Sequence, residues 1–443
     1  MEITISPRKK RWTGRLAVPG DKSISHRAVI LASLAEGDSL IENFLESADC
    51  QSTLRCLEAF GTEVRRTLDG TVVIVGRGLE GWHEPSNVLD CGNSGTTMRL
   101  LSGLLASFPF FTVLTGDDSL RGRPMGRITE PLKKMGARIL GRNDAETAPL
   151  AIQGGKLKGI KHRQKVASAQ VKSALLLAGL RASGTTEIIE PLQSRDHTER
   201  ILNAMGVKVL SEEVPVKAGS DEMVHQVSVN TGTRLESLRV RIPGDVSSAA
   251  YLLAAAAIVP GSKLEIPSVG VNPTRVGFCN LLKRMGANLK IENKRVDDIG
   301  EDVGDILCET EGLTGISVGA DAIPSAIDEL PLLAVTATQA YGWTRVSGAD
   351  ELRVKESDRI AGIVEGLRKM GAHIEERPGG FAVEGPTPLQ GARVDCRGDH
   401  RLAMALAVAA QVARGETVLE GAESVEISYP NFWSIFAPGS TLS

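Results

Sequence analysis

The sequence predicts an α/β protein built from six similar units, in which helices of small residues are central and strands lie outside them. Two interleaved repeats and a high glycine content support this prediction. The chain has 443 residues, of which 47 are glycine and 42% are hydrophobic. That length and apolar fraction are enough for two or three domains with ordinary cores.

The first repeat has the pattern Leu-x-x-(Met/Phe)-Gly-(Ala/Thr/Val)-x-(aliphatic). Its five copies start 70 to 85 residues apart and span residues 57–64, 132–139, 202–209, 282–289 and 367–374. The Leu-x-x-Met pair is typical of a buried helical face, and the glycine can adopt the positive φ that ends a helix. Each copy is therefore predicted to be a helix end followed directly by a strand.

The second repeat is a helix of small apolar residues, a turn and a short strand. Its six copies begin near Ser25, Ser94, Gln170, Ser247, Asp328 and Arg401. Four copies are entered by a glycine and a polar residue that we predict to be the N-cap, namely Asp21, Asn93, Asp245 and Asp399. The midpoint falls near Arg239, between the third and fourth units. The polar, irregular segment from Ser211 to Glu236 is interpreted as an excursion within the third unit.

Composition and failed motifs exclude several function classes. The 51 basic and 54 acidic residues leave a net charge of -3, and aromatic residues are 4%, so neither nucleic acid nor membrane is an expected partner. The chain start lacks a hydrophobic signal segment, and the six cysteines lack a CxxC pair. A cytoplasmic protein with buried free thiols is expected. Residues 76–81 match GxGxxG, but Trp82 to Pro85 follow instead of a helix. The seven histidines form no ligand pair on one helix face, so neither metal nor cofactor is expected.

Charged residues gather at several helix starts, in residues 22–27, 93–99 and 399–401. Helix N-termini carry free amides and positive dipole ends, so Lys, Ser and Arg placed there can form anion sites. For any one helix, ordinary capping with solvated charge is the better explanation, but recurrence of the pattern at several helices favours anion sites. Residues 118–124 add two arginines on a predicted turn, and residues 353–359 mix cations and carboxylates. Asp328 lies at a helix start, where in a cationic cleft it could accept a proton.

Together these segments resemble the 3-phosphoshikimate 1-carboxyvinyltransferase (5-enolpyruvylshikimate-3-phosphate synthase) family, within the enolpyruvyl transferases. The resemblance covers essentially the whole chain in order, through GDKSISHRA, GNSGTTMR, LRGRPMGR, SAQVKSALLLAGL, RVKESDRI and GDHRLAMA. It implies two similar domains, each of three βαβαββ units with helices inside, an inside-out α/β barrel. The implied domains are residues 21–239, which grip shikimate 3-phosphate, and residues 1–20 plus 240–443, which supply the catalytic acid and base and the phosphoenolpyruvate arginines.

The resemblance also implies the reaction, in which the enolpyruvyl group of phosphoenolpyruvate passes to the 5-hydroxyl of shikimate 3-phosphate and phosphate is released. No metal or cofactor is required. Asp328 corresponds to the family's proton acceptor and Glu356 to its proton donor, with Lys22 also catalytic. The implied substrate-binding residues are Lys22, Ser23, Arg27, Asn93, Gly95, Arg123, Ser168, Ala169, Gln170, Ser194, Asp328, Lys355, Arg359 and Arg401.

Two other interpretations remain open from the sequence. A UDP-N-acetylglucosamine 1-carboxyvinyltransferase shares the implied fold, but it uses a cysteine on the loop where Arg121 to Arg123 stand here. A catalytically dead anion-binding scaffold would be expected to have lost Asp328 or Glu356. Many family members carry a Lys just before an aromatic-Pro pair near the C-terminus, whereas the comparable residues 426–430 contain none. We expect a monomer that glyphosate inhibits, and each half is expected to present like-charged cations.

Overall fold

The computed structural model describes residues 1–8, 10–217, 220–232, 234–440 and 442. The helices are α1 (Lys22–Ser33), α2 (Ala48–Ala59), α3 (Gly95–Ser107), α4 (Asp118–Gly122), α5 (Gly126–Met135), α6 (Arg142–Ala145), α7 (Ala169–Gly179), α8 (His197–Ala204), α9 (Val246–Ile258), α10 (Gly277–Arg284), α11 (Ile323–Ala326), α12 (Leu330–Ala337), α13 (Arg359–Lys369), α14 (His400–Ala410) and α15 (Phe432–Phe436). Short 3-10 helices span Ile327–Glu329, Asp350–Val354 and Ala422–Ile427.

The strands are β1 (Glu2–Ile5), β2 (Thr13–Arg15), β3 (Glu36–Glu42), β4 (Glu63–Arg66), β5 (Val72–Arg77), β6 (Leu89–Asp90), β7 (Phe111–Thr115), β8 (Arg138–Gly141), β9 (Thr147–Gln153), β10 (Lys161–Arg163), β11 (Thr186–Glu190), β12 (Val209–Pro215), β13 (Met223–Val229), β14 (Arg239–Arg241), β15 (Lys263–Gly270), β16 (Asn288–Val296), β17 (Asp302–Glu309), β18 (Ser317–Val318), β19 (Gly342–Val346), β20 (His373–Arg377), β21 (Gly380–Gly385), β22 (Arg393–Asp395) and β23 (Thr417–Glu420).

The chain divides into two units, which are described separately. The N-terminal unit comprises Gly20–Ile242 and Val296–Glu301. Its three four-stranded sheets have the orders β14-β3-β5-β4, β6-β7-β9-β8 and β10-β11-β13-β12. In each sheet the first two strands are parallel and the last two are antiparallel. The first sheet obtains its parallel strand from β14, which comes last in the sequence of this unit.

The C-terminal unit comprises Met1–Pro19, Pro243–Arg295 and Asp302–Ser443. It contains the sheets β16-β17-β15-β2 and β18-β19-β21-β20 and a three-stranded sheet β1-β23-β22. Here the N-terminal strand β2 pairs in parallel with β15, and β1 pairs antiparallel with β23. In the other five described sheets, an antiparallel strand that is close in sequence lies beside the strand with a parallel neighbour. In the third sheet of this unit, β1 from the start of the chain takes that position beside β23.

The two sequence repeats predict the local structure correctly. The glycines of the first repeat all have positive φ, between 84° and 113°, immediately after α2, α5, α8, α10 and α13. Strands β4, β8, β12, β16 and β20 follow them directly. The small-residue helices of the second repeat are α1, α3, α7, α9, α12 and α14, and most of their residues are buried. The predicted central position of these helices is therefore confirmed.

The interpretation of Ser211 to Glu236 as an irregular excursion is wrong. Strand β12 begins at Val209 and runs through Pro215, and it pairs antiparallel with β13 over seven residue pairs. The sequence lacks the alternation of apolar and polar residues expected of a strand here, because β12 is an edge strand whose residues are mostly exposed. Charged residues such as Glu212 and Glu213 are typical of such edges. Ala218, Gly219 and Thr233 of this segment lie outside the described residues.

All six cysteines are buried and unbridged, as the sequence predicts. Burial raises the pKa of Cys279 to about 12, so this thiol is protonated at neutral pH. Among the described residues, none of the helices has the length and apolar character needed to cross a bilayer.

Helices α3 and α7 pack closely at Gly103, so a substitution at this residue tests the described packing. A Cβ at Gly103 would lie 2.1 Å from the carbonyl oxygen of Ala174, which is helix backbone and cannot rotate away. Alanine in an exposed helix interior is more favourable than glycine by about 1 kcal/mol. We expect Gly103→Ala to reverse that sign and lower the free energy of unfolding by about 1–3 kcal/mol, the usual cost of overpacking.

The measurement is urea unfolding of both Gly103→Ala and a control variant, Gly155→Ala. A Cβ at Gly155 would have no neighbouring atom within 4 Å, so the control should unfold close to wild type. A Gly103→Ala variant as stable as wild type would show that α3 and α7 are not packed as closely as described.

Candidate active site

The start of α1 carries the first cation of the candidate site. Asp21 caps this helix by accepting a hydrogen bond from the backbone of Ile24 at 2.9 Å. Lys22, the first helical residue, forms an ion pair with Asp49 of α2. The Lys22 side chain is 17% exposed and that of Asp49 only 7%, so the ammonium faces outward from a buried carboxylate. This arrangement fixes the direction of the cation before any ligand binds.

Arg27 lies on the next turn of α1 and is 4% exposed. Its guanidinium donates to the carbonyl oxygen of Ser23 at 2.9 Å, to Thr198 Oγ1 at 2.7 Å and to Ser173 Oγ at 2.9 Å. These partners come from α1, α7 and α8, so Arg27 ties three helices together within the N-terminal unit. These oxygens orient the guanidinium.

Asn93, which lies just before α3, holds Arg123 in position. Arg123 donates to Asn93 Oδ1 at 2.7 Å, and Asn93 donates to Asp117 Oδ2 at 2.7 Å. The prediction that Asn93 is the N-cap is wrong, because Ser94 Oγ instead accepts from the backbone of Thr97 at 3.1 Å. The Asn93 side chain cannot cap the helix since its amide is already used by its arginine and aspartate neighbours.

A second arginine, Arg99, lies next to Gly95, the first residue of α3. Arg99 Nη1 donates to Gln170 Oε1 at 2.8 Å, and Gln170 Nε2 donates to Thr96 Oγ1 at 3.0 Å. A Cβ at Gly95 would lie 2.6 Å from Arg99 Nη1 and 3.3 Å from Arg123 Nη1. A side chain at position 95 would therefore press on the guanidinium groups of both arginines.

Ser168, Ala169 and Ser194 lie near the start of α7 and before α8. Ser168 caps α7, and its Oγ accepts a backbone N–H of the first turn at 3.5 Å, while Ala169 is the first helical residue. Ser194 donates its hydroxyl proton to the buried Glu190 at 2.6 Å, and its carbonyl accepts from Lys172 at 3.1 Å. The position of Ser194 is therefore fixed by a buried ion pair between Lys172 and Glu190.

In the C-terminal unit, Arg359 is 1% exposed and lies among three carboxylates. It donates to Asp399 at 2.9 Å, to Asp328 at 3.4 Å and to Glu356. Burial alone lowers the pKa of this guanidinium, but the charges of Asp399, Glu356 and Asp328 raise it more, so the pKa lies above its ordinary value. A single cation thereby positions both carboxylates that the sequence predicts to be catalytic.

Arg401 begins a second buried network in the same unit. Its Nη1 donates to Glu329 Oε1 at 3.2 Å, and the same oxygen accepts a hydrogen bond from Ser247. Arg275 donates to Ser247 Oγ at 2.9 Å and to Asp245 Oδ1 at 3.3 Å. Glu329 and Arg275 are only 3% and 4% exposed, so this network is shielded from water and its members hold one another in place.

Lys355 lies between a 3-10 helix and α13. The run 353–359 is not one helix, because Asp350–Val354 is a 3-10 turn and Asp358 caps α13 by accepting from Ala361 at 3.0 Å. The i, i+4 spacing of Lys355 and Arg359 therefore does not place them on one helical face. Lys355 is half-buried, whereas Arg359 is directed into the cluster of carboxylates.

Residues 426–430, which lack the lysine found in many family members, pack into the C-terminal unit. Tyr429 is 1% exposed, and among the described residues its hydroxyl has no hydrogen-bond partner. Burial and the charge of Asp245 both raise the pKa of Tyr429. Asp245 is also a carboxylate that Arg275 binds, so Arg275 and Tyr429 share Asp245 as an electrostatic neighbour.

The expectation that each half presents like-charged cations stays a prediction, although several of these cations have carboxylate partners in their own unit. Lys22 is paired with Asp49, Arg359 with three carboxylates and Arg401 with Glu329. Sequence motifs show the cations at the helix starts, but most of the compensating carboxylates come from distant positions, Glu356 being the exception. The buried side chains need these partners because an uncompensated buried charge is very costly.

Comparison with known proteins decides the family. The chain matches the family described as EPSP synthase (3-phosphoshikimate 1-carboxyvinyltransferase) over residues 7–436. The chain belongs to this family. It is 49% identical to the 3-phosphoshikimate 1-carboxyvinyltransferase of Bacillus cereus and 48% identical to that of Desulforamulus reducens, each over 98% of both chains. Two EPSP synthase structures from Acinetobacter baumannii superpose with TM-scores of 0.84 and 0.85, at 41% and 39% identity.

The superposed structures cover 97% and 100% of this chain, and the chain covers 96% and 100% of them. The EPSP synthase fold expected from the sequence is therefore confirmed. What the sequence motifs missed are the residues that position others: Asp49, Arg99, Ser173, Thr198, Asp245, Ser247, Arg275 and Glu329. Most of them lie outside the motifs, so only the folded chain shows which partner each one binds.

One group of three possible metal ligands occurs in the described part of this EPSP synthase family member. Asp196, His197 and Glu301 bring one ligand atom each within 4.8 Å of one another. Glu301 Oε1 lies 2.7 Å from His197 Nδ1, and Asp196 Oδ2 accepts from Arg200 at 2.8 Å. Because these side chains already bind protein partners, the group is better explained as a buried hydrogen-bond network than as a metal centre.

Asp399 is the carboxylate on which the C-terminal cluster depends. It is fully buried, caps α14 by accepting from the backbone of Arg401 at 2.9 Å, and binds Arg359 and Ser357. Asp399→Ala removes both the cap and the ion pair. We expect it to lower the free energy of unfolding by about 3–5 kcal/mol, the usual cost of breaking a buried pair.

Asp399→Asn is the matched control, because asparagine caps a helix as well as aspartate does. It should lose the charge and keep the cap, and so be more stable than Asp399→Ala by about 1 kcal/mol. Urea unfolding of the two variants gives the comparison. A loss below about 1 kcal/mol in Asp399→Ala would contradict the role assigned to this carboxylate.

Proposed function

We propose that this chain transfers the enolpyruvyl group of phosphoenolpyruvate to the 5-hydroxyl of shikimate 3-phosphate and releases phosphate, as a cytoplasmic enzyme of the shikimate pathway to chorismate and aromatic amino acids. The observation that carries this proposal is the Arg359 cluster, in which one buried guanidinium holds Asp328 and Glu356. An acid and a base positioned by a shared cation are what an addition-elimination reaction at one carbon requires.

Each unit contributes one part of the proposed machinery. The N-terminal unit grips shikimate 3-phosphate, and the C-terminal unit supplies the acid, the base and most of the phosphoenolpyruvate arginines. The residues proposed for shikimate 3-phosphate are Lys22, Ser23, Arg27, Ser168, Ala169, Gln170, Ser194, Asp328 and Lys355. The residues proposed for phosphoenolpyruvate are Lys22, Asn93, Gly95, Arg123, Gln170, Arg359 and Arg401.

The proposed mechanism assigns a proton transfer to each carboxyl group. Asp328 accepts the proton of the 5-hydroxyl, and Arg359 Nη1 holds the carboxylate in position at 3.4 Å. Glu356 delivers a proton to the methylene carbon of phosphoenolpyruvate, and the hydroxyl oxygen then bonds to the neighbouring carbon. In the elimination, the Glu356 carboxylate takes a proton back from the resulting methyl group while the bond to phosphate breaks, which restores the methylene. Lys22 and the arginines stabilise the charge of the leaving phosphate.

The structure supports a replacement for the missing C-terminal lysine. Arg275 donates to Asp245, whose charge raises the pKa of Tyr429, and it connects through Ser247 and Glu329 to Arg401. We therefore propose that Arg275 compensates for the lysine by positioning Arg401. Gly95 has a separate proposed role, because a Cβ there would press on the guanidinium groups of Arg99 and Arg123. We propose that the glycine keeps them where an anion, phosphoenolpyruvate or glyphosate, can reach them.

Phosphate release from phosphoenolpyruvate tests the proposal directly. The purified chain is given shikimate 3-phosphate, UDP-N-acetylglucosamine or no acceptor in parallel reactions. Rapid release with shikimate 3-phosphate alone is the expected result. Release with UDP-N-acetylglucosamine would favour the other transferase, and release with neither acceptor would favour a catalytically inactive scaffold.

Asp328→Asn tests the proton acceptor. The substitution preserves shape and the bond from Arg359, so both KM values should change by less than about threefold while kcat falls by about 10²–10⁴. Asp321→Asn is the control, since Asp321 is an exposed aspartate shortly before Asp328 in the sequence. Turnover by Asp328→Asn close to that of wild type would remove Asp328 from the mechanism.

A further inference from the structure

A cavity in the N-terminal unit lies next to the start of α7. It is a half-open cavity of about 820 Å³, lined by α5, β10 and the segment that connects β10 to α7, and its Lys134, Arg163 and Lys165 are exposed to solvent. Of the proposed substrate residues only Ser168 lines it, so the cavity adjoins the candidate active site without coinciding with it. Its volume lies in the range of small-molecule sites.

The lining of this cavity is strongly cationic. Its basic residues are Arg127, Lys134, Lys161, His162, Arg163 and Lys165, and its acidic residues are Glu130 and Glu146. Lys161 is paired with Glu187. Within the described ranges, Lys134, Arg163 and Lys165 form no ion pair with any carboxylate. A cation at the end of α5 is favourable for that helix, which explains Lys134 alone but not the cations contributed by β10 and its connecting segment.

One of the two acidic residues is already engaged by the protein. A Cβ at Gly126 would lie 1.9 Å from Glu146 Oε2, so this carboxylate lies against the first turn of α5. That placement is favourable because helix N-termini stabilise negative charge. Glu130 is left as the only other carboxylate on the lining, and the cavity keeps an excess of positive charge.

Gln164 supplies a buried hydrogen-bond donor on the same lining. Its side chain is 93% buried, since the residue is 7% exposed, and Oε1 accepts from the backbone of Ser168 at 3.1 Å. Among the described residues Nε2 has no hydrogen-bond partner. A buried unpaired amide donor costs about 1–3 kcal/mol, so a ligand acceptor is a direct explanation for its retention.

We propose that this cavity binds a small organic anion carrying two or more carboxylate or phosphate groups, with Lys134 and Arg163 as the main cations and Gln164 as a neutral donor. Planar guanidinium groups match carboxylate and phosphate oxygens, and the volume leaves room for a carbon skeleton. The bond from Ser168 to Gln164 connects the bound anion with the first turn of α7. The inference concerns a second site, and it holds whether or not the proposed catalytic function is correct.

His162 provides a local probe of this cavity. Burial and the charge of Lys134 lower the pKa of its imidazole, while Glu130 opposes them. An anion bound in the cavity should raise that pKa. The experiment is an NMR pH titration of the full-length chain with labelled histidine, with citrate or pyrophosphate added at constant ionic strength set by chloride. His162→Gln assigns the signal, and His373, which is exposed in the C-terminal unit, is the internal control.

We expect citrate or pyrophosphate to raise the pKa of His162 with saturation and to leave His373 unchanged, both with and without shikimate 3-phosphate. The double variant Lys134→Gln/Arg163→Gln should bind the same probe at least tenfold more weakly. Gln164→Glu, which replaces the donor with an acceptor, should also weaken binding tenfold. Equal shifts at His162 and His373, no saturable shift with either probe, loss of the shift when shikimate 3-phosphate is added, or wild-type affinity in the double variant would each overturn the proposal.

Discussion

The ion pairs between buried arginines and carboxylates are the interactions on which the candidate site depends. A guanidinium removed from water must have compensating charge and hydrogen-bond partners, or the cost of burial is prohibitive. Arg359 meets this requirement with Asp399, Asp328 and Glu356, and Arg401 meets it partly with Glu329. The same bonds that make burial possible also fix the direction of each cation. Pre-orientation of this kind is what electrostatic stabilisation of a developing charge requires.

The small-residue helices place these groups at a common end within each unit. Alanine and glycine on their faces allow close approach, as the short separation between Gly103 and Ala174 shows. Contacts between helix starts follow from that packing, because Gln170 at the start of α7 reaches Thr96 at the start of α3. The free amides and dipoles of the N-termini add positive potential at the same ends. Core packing and anion binding are therefore two consequences of one repeated sequence pattern.

Most of the fold could be predicted from the sequence, since its signals are local. A glycine that ends a helix, an aspartate that caps one and an apolar run that forms its core are each readable within a few residues. The errors arose where local signals are weak or compete. Strand β12 is mostly exposed at a sheet edge, and Asn93 is a good N-cap by type but binds Arg123 and Asp117 instead.

The candidate site was only half predictable for a related reason. Cations at helix starts, such as Lys22 and Arg401, stand in recognisable motifs. Their partners Asp49 and Glu329 were not assigned by motif, and the partnership exists only in the folded chain. Arg275 is the clearest case, because nothing in the surrounding sequence connects it with Arg401. The network through Ser247 and Glu329 makes that connection.

The central claim is that orientation of the arginines by carboxylates matters more for substrate binding than the net charge of the site. The KM for phosphoenolpyruvate of Glu329→Gln, at saturating shikimate 3-phosphate, tests this claim most directly. The substitution removes a negative charge beside an anion site, so net charge alone would make binding tighter. Orientation predicts the opposite sign, a KM raised about tenfold, because the neutral amide keeps an acceptor oxygen for Arg401 but loses the charge assistance of a bond worth about 1.5 kcal/mol. An unchanged or lower KM would contradict the account.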